Sequence, residues 1–281
     1  MAFLPAIPVG GIAGLRFLDS TFDRQISTFK SSPDIRRNVE YFLENAENAL
    51  TIDDLMGDRR LLSVVLGAFG LDDDINKGAF VRKVIEEGSL DPSAFANRLI
   101  EPAYAELAEA LGFGNFDGAG TLVLENVRSN LAAQYEERQF ELAVGEVDLG
   151  LRLAMNFRRE AVKIAAEGNN TRTAWLRLIG SPPLREVVQT ALNLPNEFAA
   201  VDIDQQVNEI MARSDSLFGI SDPKEFLSSA VLDPFIDRFL ANQQLQSGGL
   251  AGTSPGSAAL TLLQSANLGA IGGSNLFASN F

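Results

Sequence analysis

The stretch GDRRLLSVVLGAFGL at residues 57–71 returns, 123 positions later, as GSPPLREVVQTALNL at residues 180–194. Gly57, Leu61, Val64, Val65, Ala68 and Leu71 recur in kind as Gly180, Leu184, Val187, Val188, Ala191 and Leu194. The apolar positions fall three and four apart, the period of an amphipathic helix with one buried face. The echo continues through Phe80 and Ile203, then Val84 and Val207, and, after a short insertion in the second copy, through Asp91-Pro92-x-x-Phe95 and Asp222-Pro223-x-x-Phe226. One helical unit used twice predicts an all-α fold: a multi-helix bundle built from two related units.

Outward from the repeat, the flanking segments read as helices as well. Leu15, Leu18, Phe22, Ile26 and Phe29 lie on one face, and Ile35, Val39, Phe42, Leu43 and Ala46 on another after a Ser32-Pro33 start. Thr51 with Asp54 has the form of a capping box. Asp58 with Arg59, and Asp237 with Arg238, read as capping and salt-bridge residues. The Asp72-Asp73-Asp74 triplet is placed to cap the helix that follows, and Asp91-Pro92 to start a helix running through Leu99.

Gly112 to Gly120 contains four glycines and reads as the main internal break. After it, Leu122 to about Glu167 is free of proline and joins the two units as a long helical segment. Its length predicts a bend near Gly145 or Gly150, with Leu131, Tyr135, Leu142, Val147, Leu151, Met155 and Val162 available for a buried stripe. The expected organisation is a flexible N-terminus at 1–13, a helical unit at 14–116 with the first repeat at 57–112, the long helix with the second repeat (180–242) at 117–245, and a low-complexity tail at 246–281.

Composition excludes several function classes. The chain of 281 residues has no cysteine and no histidine, which removes disulfides, thiolate chemistry, thiolate metal sites and imidazole acid–base catalysis. A net charge of -14 disfavours nucleic-acid and anionic-membrane partners. Arg36-Arg37 and Arg158-Arg159 stand beside acidic residues and read as solvated faces. No basic residue precedes Arg16, so a cleavable signal peptide is not expected, and no apolar run is long enough for a transmembrane segment.

Candidate sites are weak on their own chemistry. Asp72, Asp74 and Asn76 imitate the start of a calcium loop, but Lys77 and Lys83 stand where that loop needs glycine and a bidentate acid. Gly112, Gly114, Gly118 and Gly120 lack the ending of a phosphate-binding loop. Asn169-Asn170-Thr171 matches a glycosylation acceptor without a secretory context, and Trp175 among Leu176, Leu178 and Ile179 reads as core. No catalytic, cofactor-binding or metal residue is therefore assigned, and no cofactor is expected. The uncharged tail carries Leu260, Leu262, Leu263, Leu268, Ile271, Leu276, Phe277 and Phe281, more apolar side chains than a linker needs; these are the candidate partner-binding residues.

Gly14-Leu15-Arg16-Phe17-Leu18, Asp23-Arg24-Gln25, Tyr41-Phe42, Asp58 to Leu62, Ala68 to Leu71, Phe80 to Val84, Ala96 to Leu99 and Gly112-Phe113-Gly114 together resemble the bacterial domain-of-unknown-function family 1217. Pro182 to Arg185, Ala191 to Pro195, Asp202 to Gln206 and Phe218-Gly219 fit as well, so the resemblance spans about Gly14 to Leu245. The family's genes tend to lie among flagellar genes in alphaproteobacteria. What the resemblance implies is an all-helical protein linked by gene neighbourhood to motility; together with the repeat and the missing catalytic side chains, the expectation is a non-enzymatic structural or assembly protein associated with the flagellum, in the cytoplasm or the basal body and hook. Its expected partners are other flagellar proteins or further copies of itself. A cytoplasmic chaperone or regulator of flagellar export is the alternative. A peptidoglycan hydrolase using two carboxylates is a third reading, one that needs a cleft with converging acids.

Overall fold

A computed structural model describes residues 3–246 apart from 117 and 119. Among the described residues there are twelve α-helices and no strand: α1 (Gly11–Lys30), α2 (Pro33–Asn45), α3 (Ile52–Gly57), α4 (Arg59–Ala68), α5 (Gly78–Glu87), α6 (Ala103–Leu111), α7 (Glu125–Val147), α8 (Leu149–Ala166), α9 (Thr171–Gly180), α10 (Pro182–Ala191), α11 (Ile203–Phe218) and α12 (Ser229–Gln246). The fold is all-α, as the apolar spacing predicts.

The two copies share their element order and their punctuation. In the first, α4 is followed by a 3-10 turn at Asp72–Asn76, α5, a 3-10 turn at Ala96–Arg98 and α6; in the second, α10 is followed by Asn196–Ala200, α11, Pro223–Leu227 and α12. Both core helices stop in the same way. Gly70 has φ +72° and its counterpart Asn193 has φ +52°, the left-handed conformation that glycine and, among side-chain-bearing residues, asparagine best tolerate. The amide after each donates back to the same point of its helix, Leu71 N to Leu66 O at 2.9 Å and Leu194 N to Gln189 O at 2.8 Å.

The helix starts have diverged. Thr51 and Asp54 form the expected capping box on α3. Asp58 caps α4 by accepting from Arg60 N at 2.9 Å and Leu61 N at 3.0 Å, and it also accepts from the Tyr41 hydroxyl at 2.7 Å. Its counterpart Ser181 makes no side-chain cap and instead precedes two prolines at the first helical positions. Burial raises the Asp58 carboxyl's pKa, but the bonds from Tyr41, Leu61 and Arg60 outweigh it and hold the group below its ordinary 3.8. Asp58→Ala is therefore expected to cost about 1–2 kcal/mol at neutral pH. Because the folded pKa is depressed, this contribution is full above 3.8 and is lost as pH falls through the lower folded value. Urea denaturation of both proteins across that range checks both statements.

The long segment between the copies is two helices. Asp148, in extended conformation, ends α7 and caps α8 by accepting from Leu151 N at 3.0 Å, so the chain doubles back between the two glycines where a bend was expected. Arg138 reaches Asn156 at 3.1 Å and Glu160 at 2.8 Å across the resulting antiparallel hairpin. The reversal resets the buried stripe: Leu131, Tyr135 and Leu151 are buried as read, but Val147 and Val162 face solvent, and Phe140, Val144, Phe157 and Ile164 fill the core instead. The hairpin serves both copies, with α7 packing on α4 and α8 on α10, α12 and the Pro223–Leu227 turn. Close approach on the first side requires Gly67, because a methyl group there would lie 2.8 Å from the Tyr135 ring.

Other local readings are corrected. The Asp72–Asp74 triplet does not cap α5, which has no side-chain cap; Asp72 accepts from Gln139 at 2.6 Å and Asp74 is buried against Tyr104 and Lys77. Asp91 to Leu99 is a set of turns, because side chains compete for its backbone: Glu87 takes the Phe95 amide at 2.6 Å, and Asn97 donates to the Ser89 and Asp91 carbonyls. Near the start of the Gly112–Gly120 loop, Phe113 is buried and Asn115 accepts from the Ser89 and Leu90 amides. A side chain at Gly114 would meet backbone, including Gly88 Cα at 2.7 Å.

The first helix begins at Gly11, three residues before the boundary read from the sequence. Residues 3–10, read as flexible from their glycine and proline, make anchoring contacts. Phe3 packs edge-on to Phe29 at 5.5 Å and beside Phe140 at 6.3 Å, and Ala6 exchanges two hydrogen bonds with the Gln25 amide. From there α1 lies against α7, α8 and α12, with Arg16 paired to Asp237 at 2.7 Å. Gln246 closes α12; the rest of the tail lies outside the described residues.

Candidate functional site

Two adjoining hollows of about 640 and 590 Å³ lie over the α7–α8 hairpin, and the second of them runs between the copies. The first copy supplies Phe69 to Asp74 and Glu101 to Glu106 as one wall; Arg177 of α9 and Ser181 to Leu184 of the second copy form the other. The floor is charged. Glu160 accepts from Arg138 at 2.8 Å and from Arg159 at 3.2 Å, Glu141 pairs with Arg159, and Asn156 accepts from Arg159 at 2.8 Å. Lys163 reaches across to Glu106 of α6 at 2.5 Å, and Arg177 pairs with Glu167.

The environments of these carboxylates differ. Burial raises Glu160, but Arg138, Arg159 and Lys163 surround it and keep its pKa below the ordinary value. Glu141 is deeper, and there burial outweighs the attraction of Arg159 and Arg138 and pushes the group up. Glu101 stands between the copies, accepting from the Ser181 hydroxyl and the Ala103 amide; burial first, and then the charge of Glu160, push it up. Tyr104 is raised by burial and by its bond to Asp74.

Glu101 therefore binds its proton more tightly in the folded chain than in the unfolded one. Stability from this group is greatest below its unfolded value near 4.5 and declines as pH rises through the higher folded value. Glu101→Gln, which keeps an acceptor for Ser181 and Ala103 without the charge, is expected to raise Tm at neutral pH and to leave it unchanged at pH 4. Thermal melts at the two pH values check it.

Sequence reasoning reached the Asp72–Asp74 triplet and Arg158-Arg159 without bringing them together in a cleft. Arg158-Arg159, read as a solvated face, is a junction: Arg159 joins the floor, and Arg158 ties Asp19 of α1 at 2.7 Å to Asp233 of α12 at 3.5 Å. The available signal was charge at helical spacing, Arg138 with Glu141 and Asn156 with Arg159 and Glu160, on a segment that also carries the core stripe. Trp175 is fully buried, as expected. Among the described residues no group of three carboxylates is placed to hold a metal ion, and no helix is long and apolar enough to cross a membrane. The candidate partner-binding residues Leu260, Leu262, Leu263, Leu268, Ile271, Leu276, Phe277 and Phe281 lie outside the described residues.

The architecture defines a class: an all-α protein whose duplicated helical unit closes on a shared hairpin over a charged cleft. Within that class, the chain belongs to the family described as protein of unknown function (DUF1217), whose model matches residues 68–226. Among solved structures it is similar to the crystal structure of protein AGR_C_984 from Agrobacterium tumefaciens, with a TM-score of 0.71 and 29% identity over 87% of this chain and 99% of that one. No curated protein matches.

Proposed function

We propose that this chain is a non-enzymatic structural or assembly protein of the bacterial flagellum that works through protein–protein contacts. The observation that carries the non-enzymatic part is the mutual pairing on the cleft floor. Arg138 and Arg159 are engaged by Glu141 and Glu160, so the charged groups best placed to act on a substrate are spent on holding the two arms of the hairpin to each other. The flagellar part rests on the gene neighbourhood that the family resemblance implies. A deletion strain is expected to have too few or malformed flagella and impaired swimming; normal number, structure and swimming would overturn the reading. A tagged copy found in purified basal bodies or hooks favours a structural part, whereas signal confined to the cytoplasm favours an export chaperone or regulator.

One observation favours a second reading. Glu101, pushed up by burial and by the charge of Glu160, lines the same hollow as Glu160, which Arg138 and Arg159 hold down, and a pair of carboxyls pushed apart in this way is what glycoside hydrolysis uses. Purified protein that clears a peptidoglycan suspension, with the activity lost in Glu101→Gln, would establish that reading in place of the first.

A further inference from the structure

Leu149, Arg152, Leu153 and Asn156 follow one another at three and four positions on α8, so they share one face of that helix, and all four line the hollow of about 590 Å³ between the copies. Arg152 is half-buried there, and its side chain makes no hydrogen bond or ion pair among the described residues. The other cations lining this hollow are each engaged: Lys77 by Asp74 at 2.6 Å, Arg138 by Glu160 at 2.8 Å, and Arg177 by Glu167. A guanidinium taken partly out of water without a partner loses hydration and gains nothing in return. Its place is nevertheless fixed. The stem crosses the hairpin and lies on Gly145 of α7, where an added methyl group would collide with Arg152 Cδ. Asn156 is oriented as well: its side-chain oxygen accepts from Arg138 at 3.1 Å and from Arg159 at 2.8 Å, so Nδ2 with its two hydrogens is the end left to donate.

We infer that this hollow binds an organic monocarboxylate with an apolar body: Arg152 takes the carboxylate, Asn156 Nδ2 donates to a neighbouring carbonyl oxygen, and Leu149 and Leu153 receive the body. Three features select the class. A planar guanidinium with its donors unspent matches the two oxygens of a carboxylate. Leu149, 53% exposed, offers apolar surface next to that charge. The exposed carboxylates of Asp73 and Glu186 stand on the two walls of the same hollow, and they repel a phosphate or a polycarboxylate far more than a single negative charge that Arg152 neutralises. An N-acyl amino acid and the last residue of a peptide chain share this chemistry, each having a carboxylate, an amide carbonyl close by and a side chain. An arginine holds its proton throughout the ordinary pH range, so the assignment is to binding and not to acid–base chemistry. It rests on neither the flagellar nor the hydrolytic reading.

Ligand-observed NMR titration of the whole chain tests it, with N-acetyl-leucine as the probe. Saturable binding with a Kd of about 1 mM is expected, the affinity ordinary for a ligand of that size. N-acetyl-leucinamide, which has the same body and no charge, is expected to bind about tenfold more weakly. The same loss is expected for N-acetyl-leucine with Arg152→Met, which keeps the stem on Gly145 and removes the guanidinium. Arg24→Gln, which removes an exposed cation on α1, is expected to leave the affinity unchanged. An acetylated pentapeptide ending in leucine with a free carboxylate separates the two sources: tighter binding than N-acetyl-leucine gives the site to chain ends, weaker binding gives it to free acids, and either supports the proposal. Failure of N-acetyl-leucine to saturate, equal binding of the amide, or unchanged affinity in Arg152→Met overturns it. A loss in Arg24→Gln equal to that in Arg152→Met overturns it as well, because net charge alone would then be at work.

Discussion

Phe226→Ala is expected to lower the free energy of unfolding by about 3–5 kcal/mol, the range for deleting a fully buried aromatic ring. Phe226 closes the Asp-Pro-x-x-Phe element of the second copy. Its ring meets Phe235 at 5.2 Å, Phe157 at 5.7 Å and Trp175 at 6.0 Å, so one truncation empties the point where α8, α9 and α12 converge. The same substitution in the first copy is expected to cost much less. Phe95 is only partly buried; it touches Phe80 at 5.4 Å and otherwise lies under Lys83 at 4.6 Å and Arg98 at 5.9 Å, where solvent replaces much of what is lost. About 1–2 kcal/mol is expected there. Parallel urea titrations of the two variants measure the difference, and equal costs would mean that the copies still play equal parts in the core.

Arg159→Ala is expected to destabilise by a comparable amount, about 3–5 kcal/mol, because it strips the guanidinium from Glu141 and leaves that carboxylate buried with reduced compensation. Glu141 is 4% exposed, so water cannot take the place of the lost donor. Burial already pushes its pKa up, and loss of Arg159 pushes it further, so the penalty is greatest at neutral pH and shrinks as acid protonates the group. Replacing both partners, Arg159→Met with Glu141→Met, is expected to recover most of the loss, since an apolar pair of similar volume needs no charge compensation. Melting curves of the single and double variants at pH 5 and pH 8 separate the two effects; a double variant as unstable as the single one would show that shape, not charge, is what Arg159 contributes.

The repeat was legible because it is written in local signals. Helical spacing of Leu61, Val64, Val65 and Ala68, a capping residue at Asp58 and a left-handed stop at Gly70 each act within one turn of helix, and each is repeated or visibly replaced in the second copy. Even the change from Gly70 to Asn193 could be read in advance, since both accept the same backbone conformation. The cleft was not legible, because its pairs are long-range. Arg138 and Glu160 are 22 residues apart, and only the reversal at Asp148 places them face to face. The length of the segment predicts a bend near Gly145 or Gly150, without saying that the chain folds flat on itself. The Asp91–Leu99 segment was misread for the opposite reason: side chains such as Glu87 and Asn97 outbid the helix for its amides and carbonyls, a competition that spacing does not express.

The seating of α1 against α12 bears on how the chain is made. The apolar face of α1 is made well before one of its covers, which together with the Arg16–Asp237 tie lies 221 residues downstream. At about 5–20 residues per second that interval is roughly ten to forty seconds. Throughout it the α1 face carrying Leu15 and Leu18, both almost wholly buried in the finished fold, lacks α12 and has only α2, and later α7 and α8, to pack against. Slowing synthesis late in the chain therefore prolongs exposure at its beginning, and substitutions in α12 are expected to show up in the cell first as aggregation of nascent chains through α1.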